Sequence, residues 1–276
     1  MNNSPESKEA GEQLGRFTVG FAQESKPGRD NPHWSRRTIP GCLKEGEYES
    51  GPLYIEDFAV VNKVRGIFGV YDGASGTEGH SDRVARVSGM TIERTLIGYG
   101  NLETSADREA AMALGHENAR AKIEELRYKN EFGMEYGEKG QTAALTVLVT
   151  ERPDDQVDIT YGQIGDGIIY VFDPDGSSFK ILTKRQRAGF GVLNNWIGNI
   201  ASTHTKYMDP VDDIKTETIP KSCRIIICSD GTEDLTDDEL LECFSKSNPQ
   251  EVADALIAVS RKDDDKTAIV VDLRES

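Results

Sequence analysis

Hydrophobic and polar positions along the chain fall into two kinds of pattern. Alternating or continuous apolar runs predict strands at 17–23 (FTVGFAQ), Asp57–Asn62 (DFAVVN), Gly66–Tyr71 (GIFGVY) and Thr142–Thr150 (TAALTVLVT). More follow at Val157–Ile164, Gly167–Phe172, Ser178–Leu182, Lys215–Ile219, Arg224–Ser229 (RIIICS) and Lys266–Leu273 (KTAIVVDL). Helical spacing governs 80–97, with Val84, Val87, Thr91 and Arg94 on one stripe and Ala85, Gly89, Ile92 and Leu96 on the next. A second helix is predicted over 107–128, its buried stripe marked by Ala119, Ile123 and Leu126. Two later helices announce themselves by their caps. Thr236-Asp-Asp-Glu239 is a capping box, and Asn248-Pro249 combines an N-cap with Pro at the first helical position. Pro-Asp-Gly at 174–176 predicts a tight turn. Residues 24–54, 129–141 and 184–202 read as irregular, the first a long excursion rich in Gly, Pro and charge.

This order lacks the βαβα alternation of a doubly wound parallel sheet. Short links between successive strands favour antiparallel pairing. The pattern therefore predicts an α+β layered domain with one continuous core, preceded by a polar, disordered tail over 1–15.

Composition narrows the functions. The chain has 276 residues, and its formal net charge is −16. Nucleic-acid affinity rests on Lys and Arg neutralising phosphates, and anionic lipid selects the same charges, so neither partner is expected. No apolar run approaches the ~20 residues that span a bilayer. The N-terminus lacks the apolar stretch of a signal peptide, and a cytoplasmic protein is expected. Cys42, Cys223, Cys228 and Cys243 contain no CxxC pair, and the histidines are scattered. The five-residue spacing of Cys223 and Cys228 puts them on opposite faces of a strand.

The acids are more informative. Asp57 opens one strand and Asp72 ends the next; Asp230 ends RIIICS and Asp264 precedes the last strand. Antiparallel pairing would bring each pair to one edge. A single Asp-Gly is a common turn pair, so neither Asp72-Gly73 nor Asp230-Gly231 carries weight alone. If the two pairs meet, four carboxylates at close range require protons or hard cations. Oxygen donors of this kind suit Mg2+ and Mn2+.

The ordered set IED (55–57), GVYDGASG (69–76), GQTAALTVLV (140–149), QIGDG (163–167), IIICSDGTEDL (225–235) and DDKTAIVV (264–271) resembles the metal-dependent serine/threonine protein phosphatases, the PPM or type 2C family. The resemblance covers nearly the whole chain. It implies that 16–276 is one metal-dependent phosphatase domain, a four-layer α/β/β/α sandwich of two antiparallel sheets flanked by helix pairs. It implies two Mn2+ or Mg2+ ions and a phosphoprotein substrate, whose phosphoserine or phosphothreonine is hydrolysed by attack of a hydroxide bridging both cations. Residue by residue, Asp72 would bridge the metals and the Gly73 carbonyl would help bind one. Asp230 and Asp264 would hold the first metal, Glu56 and Asp57 the second. Asp264 is preferred to Asp263 and Asp265 because the family ligand sits three residues before a Thr, here Thr267. Asp166 matches an acid that is normally structural.

The chain departs from the family pattern at several places. Ala74 stands where some members carry a proton-donating His, with His80 nearby. Pro52 occupies the place of the phosphate-binding Arg, and Arg29, in PGRDN, resembles a displaced equivalent, with Arg36 and Arg37 as alternatives. Glu138 is the nearest candidate for a third-metal acid, and Gly167 replaces a common Ser. The retained acids imply an active phosphatase. The missing His and Arg imply the alternative, a pseudophosphatase that binds phosphoproteins with little or no turnover.

Overall fold

The computed structural model describes residues 17–24, 55–74, 81–129, 135–137, 140–184, 186, 196–198 and 213–273. The tail 1–15, the segment 25–54 with Arg29, Arg36 and Arg37, and His80 and Glu138 lie outside them. The chain forms β1 (Thr18–Glu24), β2 (Phe58–Asn62), β3 (Ile67–Gly73), α1 (Ser81–Gly98) and α2 (Ser105–Glu125). Then come β4 (Arg127–Lys129), β5 (Glu135–Gly137), β6 (Gln141–Glu151), β7 (Gln156–Ile164), β8 (Ile168–Asp173) and β9 (Ser178–Ile181). The remainder comprises β10 (Ile197–Gly198), β11 (Asp213–Pro220), β12 (Arg224–Cys228), α3 (Asp237–Phe244), α4 (Pro249–Val259) and β13 (Lys266–Asp272).

One sheet runs β1-β13-β12-β8-β9 and the other β11-β7-β6-β3-β2, with β10 added beside β6. Every pairing is antiparallel. α1 and α2 cover the outer face of the second sheet, and α3 and α4 that of the first. The result is the four-layer α/β/β/α arrangement expected from the resemblance.

Four layers have three interfaces, which corrects the expectation of one continuous core. A central cluster between the sheets takes Phe68, Val70, Leu145, Val147, Ile225 and Ile227. A second, under α1 and α2, takes Ile67, Tyr71, Ile92, Met112 and Leu148. A third, under α3 and α4, takes Ile226, Cys228, Phe244, Leu256 and Val270. Alternate residues of each strand therefore feed different cores, which is why Ile225–Cys228 is apolar throughout. Cys223 enters the central cluster and Cys228 the third, so the two do lie on opposite sides of the first sheet.

The caps read from sequence are present. Thr236 accepts the Glu239 N–H while Glu239 reaches back, and Asn248 caps α4 with Pro249 in its first turn; such caps contribute about 1 kcal/mol each. Other boundaries differ. α2 begins at Ser105 because Thr104 forms its own capping box with Asp107, and it ends at Glu125 rather than 128. β4 takes up 127–128, expected to end the second helix, and pairs with β5 in the stretch expected to be loop, while β10 lies in the stretch read as irregular; pairs this short leave no periodic signal. The 174–176 turn is present, but its positive φ (45°) falls on Ser177 instead of Gly176. Arg108 is buried, where its Nη2 meets Asp158 at 2.6 Å and its Nε meets Thr160 at 3.2 Å, tying α2 to β7.

Candidate metal centre

The β2–β3 hairpin places Asp57 and Asp72 together: Phe58 pairs with Tyr71, and the acids are the next residues outward on each strand. β12 pairs with β13, and the register Cys228–Ala268 continues through the Ser229 N–H to the Thr267 carbonyl at 3.0 Å. Asp230 and the 264–266 segment thereby reach the same end of the first sheet. Hydrogen bonds between sheets then join the two ends. The Thr267 hydroxyl donates to Asp57 Oδ2 at 2.7 Å, and the Glu56 N–H donates to Asp265 Oδ2 at 2.7 Å. Gln23 of β1 adds bonds to the Asp57 carbonyl at 3.2 Å and to Thr267 Oγ1 at 3.1 Å.

The glycines beside Asp72 and Asp230 have a different reason from the turn reading. Neither adopts positive φ. Gly73 lies in β3, where a Cβ would sit 2.6 Å from the Glu56 carbonyl oxygen; at Gly231 it would sit 2.0 Å from the Asp265 carbonyl oxygen. Each glycine lets the backbone of the facing acid segment approach, so each fixes where its neighbouring aspartate stands. Gly231→Ala should therefore destabilise the fold by about 3 kcal/mol, the upper range for an overpacked site. A thermal melt checks it: an unchanged midpoint would mean that the 264–266 segment yields freely.

Charge accumulates strongly here. Burial raises the Asp72 carboxyl well above its ordinary pKa of 3.8, and the neighbouring charges of Asp57, Asp230, Asp166 and Asp264 raise it further. Burial, then Asp265, lifts Asp57 to about 8, against hydrogen bonds from Thr267, Asp72 and Ser229 that favour its charged form. Asp57 Oδ1 is buried and accepts no hydrogen bond; a proton held on the adjacent Asp72 carboxyl would supply one, and so would a cation.

Among the described residues, one positive group enters the cluster. The Lys262 ammonium contacts Asp230 Oδ2 and lies 3.2 Å from Glu233 Oε1 and 3.4 Å from Asp264 Oδ2. Burial alone would lower its pKa, but Asp230, Glu233 and Asp264 together hold it above the usual value. Among the described residues, no three His, Cys, Asp or Glu side chains are already arranged as a metal cage. The donor set nevertheless fits hard divalent cations in charge and chemistry: clustered carboxylates, one oxygen without a donor, and an ammonium as local counter-ion.

The expected acids are thus distributed as follows. Asp57, Asp72, Asp230 and Asp264 converge, and Asp166 is buried close enough to Asp72 to repel it. Glu56 is buried, its backbone against Gly73. Sequence reasoning missed Asp265, Thr267, Ser229, Glu233 and Lys262 as members of the neighbourhood. The charged run KDDD at 262–265 was a signal, but its alternation of exposed and buried positions was not readable: Asp264 is partly exposed whereas Asp265 is buried.

No curated protein matches the chain significantly in sequence. By structure, the chain is similar to the serine/threonine phosphatase PstP/Ppp of Mycobacterium tuberculosis, with 14% identity, a TM-score of 0.64, and 94% of this chain and 99% of that one covered. It is similar to the PPM Ser-Thr phosphatase MsPP of Mycobacterium smegmatis in complex with cacodylate, with 13% identity, a TM-score of 0.59, and 92% and 97% covered. A third structure, the catalytic domain of PstP in complex with two manganese ions, gives 16% identity, a TM-score of 0.58, and 93% and 98% covered. These likenesses establish the shared fold. The family model described as protein phosphatase 2C matches residues 56–268, well over half of the chain, and the chain therefore belongs to the protein phosphatase 2C family.

Proposed function

We propose that this protein is a metal-dependent phosphatase that hydrolyses phosphoserine and phosphothreonine on proteins. The observation that carries the reading is the convergence, from both sheets, of Asp57, Asp72, Asp230 and Asp264 on one edge of the sandwich. Family membership supports it, as does a structural neighbour described with two manganese ions. In this reading Asp72 and the Gly73 carbonyl would help hold two divalent cations. Asp230 and Asp264 would hold the first cation, and Glu56 and Asp57 the second. Mn2+ and Mg2+ both suit these donors. Bound there, the cations would activate water and offset the charge that develops on the phosphoryl group.

The chain's own groups set the stage for that chemistry. Thr267 orients the Asp57 carboxylate, and Asp265 anchors the Glu56 backbone, so the second pair of ligands is held from the opposite sheet. Arg29 is assigned to the phosphoryl group, with Arg36 and Arg37 on the same segment as alternatives. The segment directly precedes Glu56 and Asp57 in sequence and is assigned to the phosphoprotein.

A second reading is favoured by two observations: Ala74 provides no proton donor, and Lys262 already neutralises part of the acid cluster. It is a pseudophosphatase that binds metal and phosphoprotein without turnover. One experiment separates the readings. Hydrolysis of an aryl phosphate and a phosphoserine peptide is followed with Mn2+, with Mg2+ and with excess chelator, beside a direct Mn2+ titration. Turnover that needs added cation and stops with chelator supports the phosphatase. Mn2+ binding without turnover supports the pseudophosphatase, and turnover undiminished in chelator overturns both.

A further inference from the structure

Lys262 lies on the short segment between α4 and β13. Besides its carboxylate contacts, its ammonium lies 3.3 Å from the Asp230 carbonyl oxygen. Asp230 and Asp264 are the pair assigned above to one cation, so the ammonium stands on oxygens that the cation requires. A Mn2+ or Mg2+ ion needs such oxygens at roughly 2.0–2.2 Å. An ammonium at hydrogen-bond distance from the same atoms occupies that space and repels the incoming charge.

The backbone that carries Lys262 is pinned. The Ser260 hydroxyl lies 2.6 Å from the Gly231 carbonyl oxygen and 2.7 Å from Asp234 Oδ1, its one proton shared between these two acceptors. The Arg261 N–H donates to Asp234 Oδ2 at 2.8 Å, and its guanidinium meets Glu239 at 2.6 Å. The backbone of Lys262 is therefore held against the same turn that presents Asp230. Its side chain is 22% exposed, which leaves the flexible stem a route towards solvent. Glu233, which is not among the assigned ligands, offers the ammonium a second carboxylate at 3.2 Å.

We propose that Lys262 is a tethered counter-cation: it holds the Asp230–Asp264 subsite in the metal-free protein, and a divalent cation enters only by displacing it. This inference rests on the metal-centre reading. Its consequence is a first-subsite affinity lower than the carboxylates alone would give, with a fold that stays intact when metal is absent. Occupation of that subsite then depends on the ambient level of free cation.

Isothermal titration with Mn2+ tests this on the full chain, using wild type, Lys262→Met and Lys262→Arg, each melted with and without Mn2+. Lys262→Met removes the charge and should bind Mn2+ about tenfold more tightly, the worth of one charge-assisted contact. It should also melt at lower temperature without metal and gain more from Mn2+ than wild type does. Lys262→Arg keeps the charge and should bind no more tightly than wild type. The proposal is overturned if wild type binds Mn2+ and Lys262→Met binds it equally or more weakly. It is overturned equally if Lys262→Arg binds more tightly, an arm that stands even where the Met variant fails to fold. If wild type and both variants bind no Mn2+, the metal-centre reading itself fails, and the inference fails with it.

Discussion

Replacing Asp72 by Asn should lower turnover on the order of a thousandfold or more, because a ligand shared by two cations supports several kcal/mol of charge stabilisation. Asp230→Asn should cost a similar factor. The two variants should part company in stability. Among the described residues, burial and then the acids Asp57, Asp230, Asp166 and Asp264 penalise an ionised Asp72, so the neutral amide relieves that penalty and the metal-free protein should melt higher. Asp230 is partnered by Lys262, so its removal breaks an attraction and leaves the ammonium with Glu233 and Asp264. The metal-free Asp230→Asn protein should gain nothing and melt at or below wild type. Steady-state rates at several Mn2+ concentrations, with thermal melts in chelator, check both halves. Near-wild-type rates with unchanged metal dependence in either variant would overturn the ligand assignment.

Introducing a proton donor should reshape leaving-group preference. Ala74 follows Gly73 directly, and its backbone is held by the Gln141 carbonyl at 2.9 Å and the Ser81 hydroxyl at 2.9 Å. A side chain here is thus carried on a fixed frame beside Asp72. Alanine can protonate nothing. A nitrophenolate departs readily without a proton, whereas a serine alkoxide needs one. Wild type should therefore favour aryl phosphate over phosphoserine peptide, and Ala74→His should narrow that preference by about a hundredfold, the lower range for general-acid assistance. Single-turnover rates isolate the step. An identical preference in the two proteins would mean that another acid already serves, and His80 would be the first to replace.

The sequence alone determined the elements and half of the site's geometry. Period-two apolar runs located the major strands, and the caps at Thr236 and Asn248 located α3 and α4, because each signal lies within a few residues of what it specifies. Asp57 beside Asp72 followed from a short hairpin in the same way. β10 and the β4–β5 pair escaped, since two or three residues carry no period. Arg108 escaped because a charged helix residue reads as solvated until Asp158 on a distant strand is known to face it.

Tertiary structure decided the rest. Whether the Asp57–Asp72 edge meets the Asp230–Asp264 edge depends on how two sheets stack, and Thr267 reaches Asp57 across 210 residues of sequence. The glycines after Asp72 and Asp230 read locally as turn residues; only the facing backbones of Glu56 and Asp265 show that they serve close approach. Lys262 sits two residues before Asp264, yet no sequence rule aims its ammonium at Asp230. Hydrophobic period and capping are short-range along the chain, so residue order encodes them. Coulomb energy depends on distance and burial in space, so the balance of acids and counter-charge emerges only once the sheets are packed.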